Sequence, residues 1–247
     1  MKIKRRFHNV SHQFFILPLI LLILSIYLNY PYCPINIKLR CLDGRIAVVY
    51  MTCFEKKPFN ITKFELPTYR LTCKSKNDDY CFEAVPYLRF FYDHYYDINR
   101  KFFFIHAHEY SFHYNKSIFA VIKDRIKSKE FQNSLYGPLY VNIWGTKVWW
   151  KKGIFRLIFE EIYHNTTMME YYNIDSTSFP CCSTFFVDSS LFRSRPRDEY
   201  LIYIKRLQNY SRSFDRRGVL CGRIAEYTWH LMLGKNKYQF ISKSGAV

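Results

Sequence analysis

Residues Phe102 to His113 read Phe-Phe-Phe-Ile-His-Ala-His-Glu-Tyr-Ser-Phe-His, an apolar run that ends in three histidines and a glutamate. Four consecutive large apolar residues predict a strand that is buried on both faces of a sheet. Its carboxyl end is the place where open α/β sheets bind ligands. If the chain stays extended, His106 and His108 lie on the same side of the strand. The stretch predicts either a ligand site or hydrogen-bonded histidines at a strand end.

Length and charge narrow the class of protein. A chain of 247 residues, 49% of them apolar, is long enough for one globular domain with a substantial core. The net charge is +17, but the basic residues are spread along the chain and no RNA- or DNA-binding motif is present. Scattered lysines indicate a solvated surface, so we expect no nucleic-acid partner. Anionic small molecules such as nucleotide diphosphates, or acidic lipid surfaces, suit this charge equally well.

The amino terminus predicts a membrane anchor. Residues 1–13 form a basic tail, and residues 14–30 carry no charge. The uncharged stretch is at the short end of a membrane span, since crossing ~30 Å of hydrocarbon takes about 20 residues. A cleaved signal peptide is the alternative, but no small-residue cleavage pattern follows. We expect a single-pass type II protein of the Golgi or endoplasmic reticulum membrane, with a stem at residues 31–44 and a luminal body.

Two further features agree with a luminal body. Acceptor triplets for N-glycosylation begin at Asn60, Asn115, Asn165 and Asn209. All eight cysteines lie beyond the anchor, and an even number in an oxidising compartment predicts disulfides, whose pairing the sequence leaves open. These cysteines are Cys33, Cys41, Cys53, Cys73, Cys81, Cys181, Cys182 and Cys221.

Between residues 45 and 240, apolar patterns alternate between strand and helix, which predicts a single α/β domain followed by a tail at 241–247. Predicted strands cover 45–52, 102–106, 139–144 and a segment after residue 180 that ends near 188. Predicted helices begin at 86 and at 196 and cover 117–128, 154–164 and 218–233, with Gly234 as the cap of the last. Residues 55–80 are expected to form a polar loop region.

The last predicted helix has three polar side chains beside its apolar face. They are Arg223, Glu226 and His230. Charged groups at the edge of a core-facing stripe either cap other backbone ends or reach into a cleft.

Several blocks of the chain resemble the family known as domain of unknown function 3431. They are Glu83-Ala84 with Tyr87-Leu88, Phe104 to His108 with His113, Tyr140-Val141-Asn142, Cys181-Cys182 to Arg195-Pro196, and Gly222 to His230. The family carries no settled activity. Of its first block, usually a strand and an Arg-Tyr-Asn-Glu-type turn, this chain keeps only Glu55.

More distantly, the closing strand, Arg-Pro helix and Gly-Arg-Ile-Ala-Glu helix are similar to those of Golgi-type nucleotide-sugar transferases. The resemblance implies a Rossmann-like, glycosyltransferase A-like domain acting on a nucleotide-sugar and a glycan or protein acceptor. For glycosyl transfer by this chain we expect catalysis by Glu226 and His230, and substrate binding by Arg223, Glu55, Tyr140 and Asn142. Those enzymes hold a divalent metal with paired aspartates, where this chain has His106-Ala107-His108-Glu109.

Three functions therefore compete. A membrane-anchored glycosyltransferase accounts for the topology, the fold pattern and the charge. A metal-dependent hydrolase would use His106, His108 and His113 as zinc ligands, because three protein ligands and an activated water form a common catalytic zinc site. A non-catalytic luminal binding protein is the third. A bound metal ion would distinguish the hydrolase from the binding protein. Binding of a nucleotide-sugar donor would distinguish the transferase from both.

Overall fold

The computed structural model of the protein describes residues 45–52, 60–72, 81–110, 116–139, 154–171, 183–214 and 219–233. Within these ranges the fold is mixed α/β, as the alternating patterns predict, and five strands form one sheet. The strands are β1 (Ile46–Met51), β2 (Thr68–Leu71), β3 (Lys101–His106), β4 (Tyr136–Pro138) and β5 (Phe185–Asp188). The helices are α1 (Ala84–Asp93), α2 (Ile118–Lys127), α3 (Lys129–Asn133), α4 (Ile154–Tyr163), α5 (Arg197–Phe214) and α6 (Val219–Leu233).

The sheet is mixed, with strand order β2-β1-β3-β5-β4. Strands β2, β1 and β3 run parallel, whereas β5 runs antiparallel to both of its neighbours, β3 and β4. Because β3 and β5 are antiparallel, the carboxyl end of β3 lies beside the beginning of β5. The pairing of Phe104 with Phe185 shows this register.

Strand β3 is buried on both faces, which confirms the prediction from its apolar run. Phe102 and Phe104 belong to the larger core cluster, to which α1, α4, α5 and α6 contribute. Phe103 and Ile105 belong to a second cluster on the other face, with residues of α2 and α3. All four side chains are 0% exposed. The strand can be apolar at every position because each face of the sheet has its own helical layer.

The other long apolar patterns also give the predicted elements. Strand β1 and helices α2, α4 and α6 lie within one or two residues of their predicted bounds. Helix α1 begins two residues before Pro86, so the proline occupies the first turn, where its missing N–H leaves no hydrogen bond unmade. Helix α5 begins at Arg197, directly after Pro196, and its predicted stripe of Tyr200, Ile204 and Leu207 is buried.

The predicted loop over residues 55–80 was wrong, because it contains β2. This edge strand has four residues, Thr-Tyr-Arg-Leu, none of them fully buried. A segment that short and that polar does not produce a period-two apolar pattern.

The strand predicted over 139–144 lies outside the described residues from position 140 onward. Just before it is β4, which sequence patterns did not predict, because its Tyr-Gly-Pro sequence contains two residues that are depleted in strands. Gly137 is needed there, since a Cβ at this position would lie 2.6 Å from the ring of Phe186.

None of the helices in the described ranges is long and apolar enough to cross a membrane. The predicted tail, anchor and stem, residues 1–44, lie outside those ranges.

A disulfide joins Cys81, before α1, to Cys221 in the first turn of α6, with 5.1 Å between the two Cα atoms. The bond closes a separation of 140 residues. This bond agrees with the disulfides expected from the even number of cysteines. Cys181 and Cys182 lie outside the described residues.

We expect the Cys81→Ser/Cys221→Ser double variant to lose about 2–5 kcal/mol of its free energy of unfolding, because the unfolded chain regains the entropy of a very long loop. Denaturant titration of the full-length protein in detergent measures this loss. Dithiothreitol should destabilise the wild-type protein by at least as much. A double variant as stable as the oxidised wild type would contradict the expectation.

Candidate functional site

The candidate site begins at the carboxyl end of β3. His106 is the last residue of the strand and His108 follows it two residues later. Their rings are nearly parallel, at 10°, with 5.3 Å between the ring centroids. Both side chains are partly exposed. The structure thus places the two histidines side by side at the edge of the sheet, as the period of two predicts.

The beginning of β5 adds polar groups at the same place. The Tyr87 hydroxyl of α1 lies 3.3 Å from two backbone carbonyl oxygens, one of Ile105 in β3 and one of Ser183 before β5. The Ser183 hydroxyl, in a residue that is 1% exposed, donates a hydrogen bond to the carboxylate of Glu83. Glu83 precedes the first residue of α1. Its side chain is therefore held at the end of the sheet that carries His106.

Helix α6 passes close to the residue before Glu83. Cys81 is bonded to Cys221, and a Cβ added to Gly222 would lie 2.7 Å from the Phe82 ring. A larger residue at position 222 would push α6 away from this segment. Glu226 lies one helical turn after Gly222, and residues four apart share a face of a helix. Glu226 therefore lies on the side of α6 that faces the start of α1.

Glu226 has a strongly perturbed pKa. Burial, with a further contribution from the negative charge of Glu83, raises the pKa of Glu226 from 4.5 to about 7, against an opposing effect of Arg223. A carboxyl group with this pKa exists in both protonation states near neutral pH. General acid or base catalysis works best in that range, and perturbed carboxyl groups of this kind cluster at functional sites.

Two further groups that act on the site come from α6 itself, Arg223 and Tyr227. The Arg223 side chain is exposed, whereas Tyr227 is partly buried. Burial raises the pKa of Tyr227, and the Glu226 carboxylate adds to this effect. Within the described residues, the site thus combines the exposed guanidinium of Arg223 with a carboxyl group that is mostly shielded from water.

His230, one turn beyond Glu226, has a different environment. It is 4% exposed, and burial lowers its pKa to about 3. Its imidazole is therefore neutral at physiological pH. The last turns of α6 are buried on nearly all sides, so the single apolar face predicted for this helix was too narrow.

The described residues do not form a metal site. His106 and His108 supply two neighbouring imidazoles, whereas zinc sites take three or four protein ligands. In the described part of the chain, no group of three or more His, Cys, Asp or Glu side chains could hold a metal ion. The third predicted ligand, His113, lies outside that part.

Several predicted site residues also fall outside the described ranges: Glu55, Tyr140, Asn142 and Asn115. Among the others, His106, His108, Arg223 and Glu226 have the positions given above. Glu83 and Ser183 were not predicted as site residues. Glu83 belongs to one of the blocks that resemble the family, which is the signal that marks it.

The fold and the site define a mixed α/β protein with a partly buried carboxyl group and two histidines near the carboxyl end of the central strand. A family model described as "Protein of unknown function (DUF3431)" matches residues 68–245. The chain belongs to this family. No curated protein and no solved structure matches the chain.

The perturbed Glu226 predicts a pH dependence of stability. Its folded-state pKa of about 7 lies above the ordinary value of 4.5, so the folded protein keeps a proton that the unfolded chain has released. The free energy of unfolding should therefore fall as pH rises from about 4.5 to about 7, by at most roughly 3 kcal/mol. The Glu226→Gln variant should lack this contribution.

Denaturant unfolding at half-unit steps from pH 4.5 to 8.5 measures the difference between wild type and Glu226→Gln. Subtracting the two curves removes the contributions of other groups, such as His230. Glu65→Gln is the matched control, because Glu65 is exposed. A wild-type curve parallel to that of Glu226→Gln would show that Glu226 titrates normally.

Proposed function

We propose that the protein is a membrane-anchored, glycosyltransferase-like enzyme of the Golgi or endoplasmic reticulum. In this proposal it transfers a sugar from a nucleotide-sugar donor to a hydroxyl group of a glycan or protein, with Glu226 as the general base. The observation that carries the proposal is the partly buried Glu226, whose pKa of about 7 matches the task of accepting a proton from a hydroxyl group near neutral pH.

The reaction assigns a role to each part of the site. Glu226 takes the proton of the acceptor hydroxyl while the hydroxyl oxygen bonds to the anomeric carbon of the sugar. The bond from that carbon to the diphosphate oxygen breaks, and its electron pair leaves with the diphosphate. In this proposal the guanidinium of Arg223, which is exposed, offsets the developing negative charge. His106 and His108 can donate hydrogen bonds to phosphate oxygens from the end of β3.

The parallel part of the sheet supports a nucleotide-binding role. Strands β2, β1 and β3 run parallel, and their carboxyl ends share the edge that carries His106. In open α/β sheets, ligands bind outside the carboxyl ends of the strands. A Rossmann-like relationship for this half of the sheet, with the donor bound at its edge, is part of the proposal.

The metal-dependent hydrolase is the second candidate. Its support is the pair of histidines at a strand end, but it needs a third ligand that the described residues do not provide. A non-catalytic binding protein would bind its ligand at the same edge of the sheet without needing Glu226 as a base. The perturbed pKa of Glu226 therefore favours the transferase.

We expect Glu226→Gln to lower turnover by at least about 10²–10³, a typical loss for removing one catalytic group. His106→Ala should weaken donor binding or turnover because a diphosphate contact is lost. The assay is release of nucleoside diphosphate from a panel of nucleotide sugars by the full-length protein, with Mn²⁺, Mg²⁺ or Zn²⁺ present.

Glu65→Gln is again the control and should retain full turnover. If the wild-type protein neither shifts its melting temperature with any donor nor releases diphosphate from one, the transferase proposal fails. If Glu226→Gln turns over as fast as the wild type, the assigned base is wrong. Zinc-dependent hydrolysis that His106→Ala abolishes would support the second candidate.

The secretory location also predicts N-glycosylation at Asn60. The Asn60 side-chain oxygen accepts hydrogen bonds from the Thr62 backbone N–H at 3.1 Å and the Thr62 hydroxyl at 2.7 Å. These bonds occupy the oxygen and leave the amide nitrogen, the atom that carries a glycan, toward solvent. Since Asn60 is exposed, we expect Asn60→Gln to lose one glycosidase-sensitive mobility shift.

The other two described triplets serve as comparisons. The Thr167 hydroxyl of the Asn165 triplet donates to Glu199 at 2.7 Å, and Ser211 of the Asn209 triplet is 0% exposed. Each hydroxyl is committed to the fold, so we expect lower occupancy at Asn165 and Asn209. Glycopeptide mass spectrometry that finds Asn60 unmodified in protein from the secretory pathway would contradict the expectation.

A further inference from the structure

Strand β2 carries an arginine near the edge of the sheet at which the donor is proposed to bind. Arg70 is the third residue of β2 and pairs with Tyr50 in β1. Because β2, β1 and β3 are parallel, their carboxyl ends lie together, and Met51 pairs with both Leu71 and His106. Arg70 therefore lies on the second strand from His106, about 10 Å away across the sheet, close to the same edge.

The Arg70 side chain extends toward this edge and is held there. Its Nε donates a hydrogen bond to the Thr52 hydroxyl oxygen at 3.1 Å. Thr52 follows the last residue of β1 and lies two residues beyond Tyr50, the partner of Arg70. The Thr52 hydroxyl donates to the Leu71 carbonyl oxygen at 3.4 Å, so its oxygen is free to accept from Arg70. The guanidinium thus reaches past its own Cα to the end of β1.

The two terminal nitrogens of the Arg70 guanidinium remain for a ligand. Among the described residues, Arg70 has its hydrogen bond at Nε and no carboxylate partner. Lys63, near the same edge, instead forms an ion pair with Glu109 at 3.1 Å. Arg70 is exposed. An anion in solvent can therefore reach a planar fork of N–H groups that already has a fixed position.

Protection of the sheet edge does not explain this geometry. Strand β2 is at one end of the strand order, and a charged side chain on an edge strand hinders pairing with another chain. That role needs no particular orientation of the guanidinium, whereas ordering a long side chain costs conformational entropy. A hydrogen bond that orders Arg70 before a ligand arrives favours anion binding, because less entropy is then lost on binding.

We infer that Arg70 binds the diphosphate of the nucleotide-sugar donor, with Thr52 as its positioning residue. This inference rests on the proposed function, in which the donor binds at the carboxyl ends of the parallel strands. Arginine pairs with phosphate oxygens through two parallel hydrogen bonds, which fix the direction of the phosphate as well as its charge. The diphosphate then lies across the end of β1, between Arg70 of β2 and His106 of β3.

The test is calorimetric titration of the full-length protein in detergent with inorganic pyrophosphate and with a panel of nucleoside diphosphates. We expect Arg70→Ala to weaken binding of both about 10- to 100-fold, because a charge-assisted contact is lost. Arg70→Lys keeps the charge without the fork and should recover only part of the affinity. Arg89→Ala is the matched control, because it removes the same charge from an exposed position on α1 and should bind like the wild type.

The Thr52→Val variant tests the positioning role, because it removes the hydroxyl and keeps the shape. It should weaken pyrophosphate binding about threefold to tenfold and have no further effect in Arg70→Ala. Melting temperatures without ligand show whether each variant is folded. The inference is overturned if the wild type binds neither pyrophosphate nor any nucleoside diphosphate, or if Arg70→Ala and Arg70→Lys bind them as tightly as the wild type.

Binding and sugar transfer are measured separately, so the two proposals can fail separately. If diphosphate binding depends on Arg70 but no donor is turned over, the anion site stands while the transferase proposal fails. If a donor is turned over, Arg70→Ala should raise its KM, whereas Glu226→Gln should lower kcat. Turnover with a KM that Arg70→Ala leaves unchanged would support the transferase and contradict the role of Arg70.

Discussion

The burial of β3 on both faces is the constraint on which the rest of the structure depends. Its four central side chains are 0% exposed, and they alternate between two separate core clusters. Such a strand needs hydrogen-bonded neighbours on both edges, which β1 and β5 provide, and a helical layer on each face. Strand β3 must also end where its side chains become polar, which happens at His106. His106 and His108 therefore lie partly exposed at the carboxyl end of the strand.

A buried polar network around Arg195 holds the carboxyl-terminal end of helix α6. Arg195 is 3% exposed, and its guanidinium donates to the Tyr171 hydroxyl at 2.8 Å, the Leu231 carbonyl oxygen at 2.9 Å and the Glu170 carboxylate at 2.5 Å. A buried guanidinium costs free energy unless it is paired, and here several partners satisfy its two terminal nitrogens. Because Leu231 is in the last turn of α6, the network holds that end of the helix while the disulfide holds the other. Arg195, although it belongs to a block shared with the family, thus has a structural role.

The sequence predicts the elements whose patterns are local and leaves open those that depend on distant partners. Long apolar runs gave β1, β3 and the main helices, because burial of one face leaves a regular period in the chain. Strand β2 was missed because a short and polar edge strand buries too little to need such a pattern. Strand β4 was missed because its Tyr-Gly-Pro sequence contains two residues that are depleted in strands. Glu83 was missed for another reason: a disulfide across 140 residues and a hydrogen bond from Ser183 bring it to the site. No spacing within the sequence contains that information.

The contrast between Glu226 and His230 shows why burial decides which polar residue can act. The two are one turn apart on α6, and the sequence treats them alike as polar groups beside an apolar face. Burial disfavours the charged form of both groups, but the two pKa values move in opposite directions, to about 7 for the acid and about 3 for the base. Only Glu226 can therefore exchange a proton near neutral pH. His230 stays neutral there, so of these two residues the carboxyl group of Glu226 is the one whose charge changes near neutral pH.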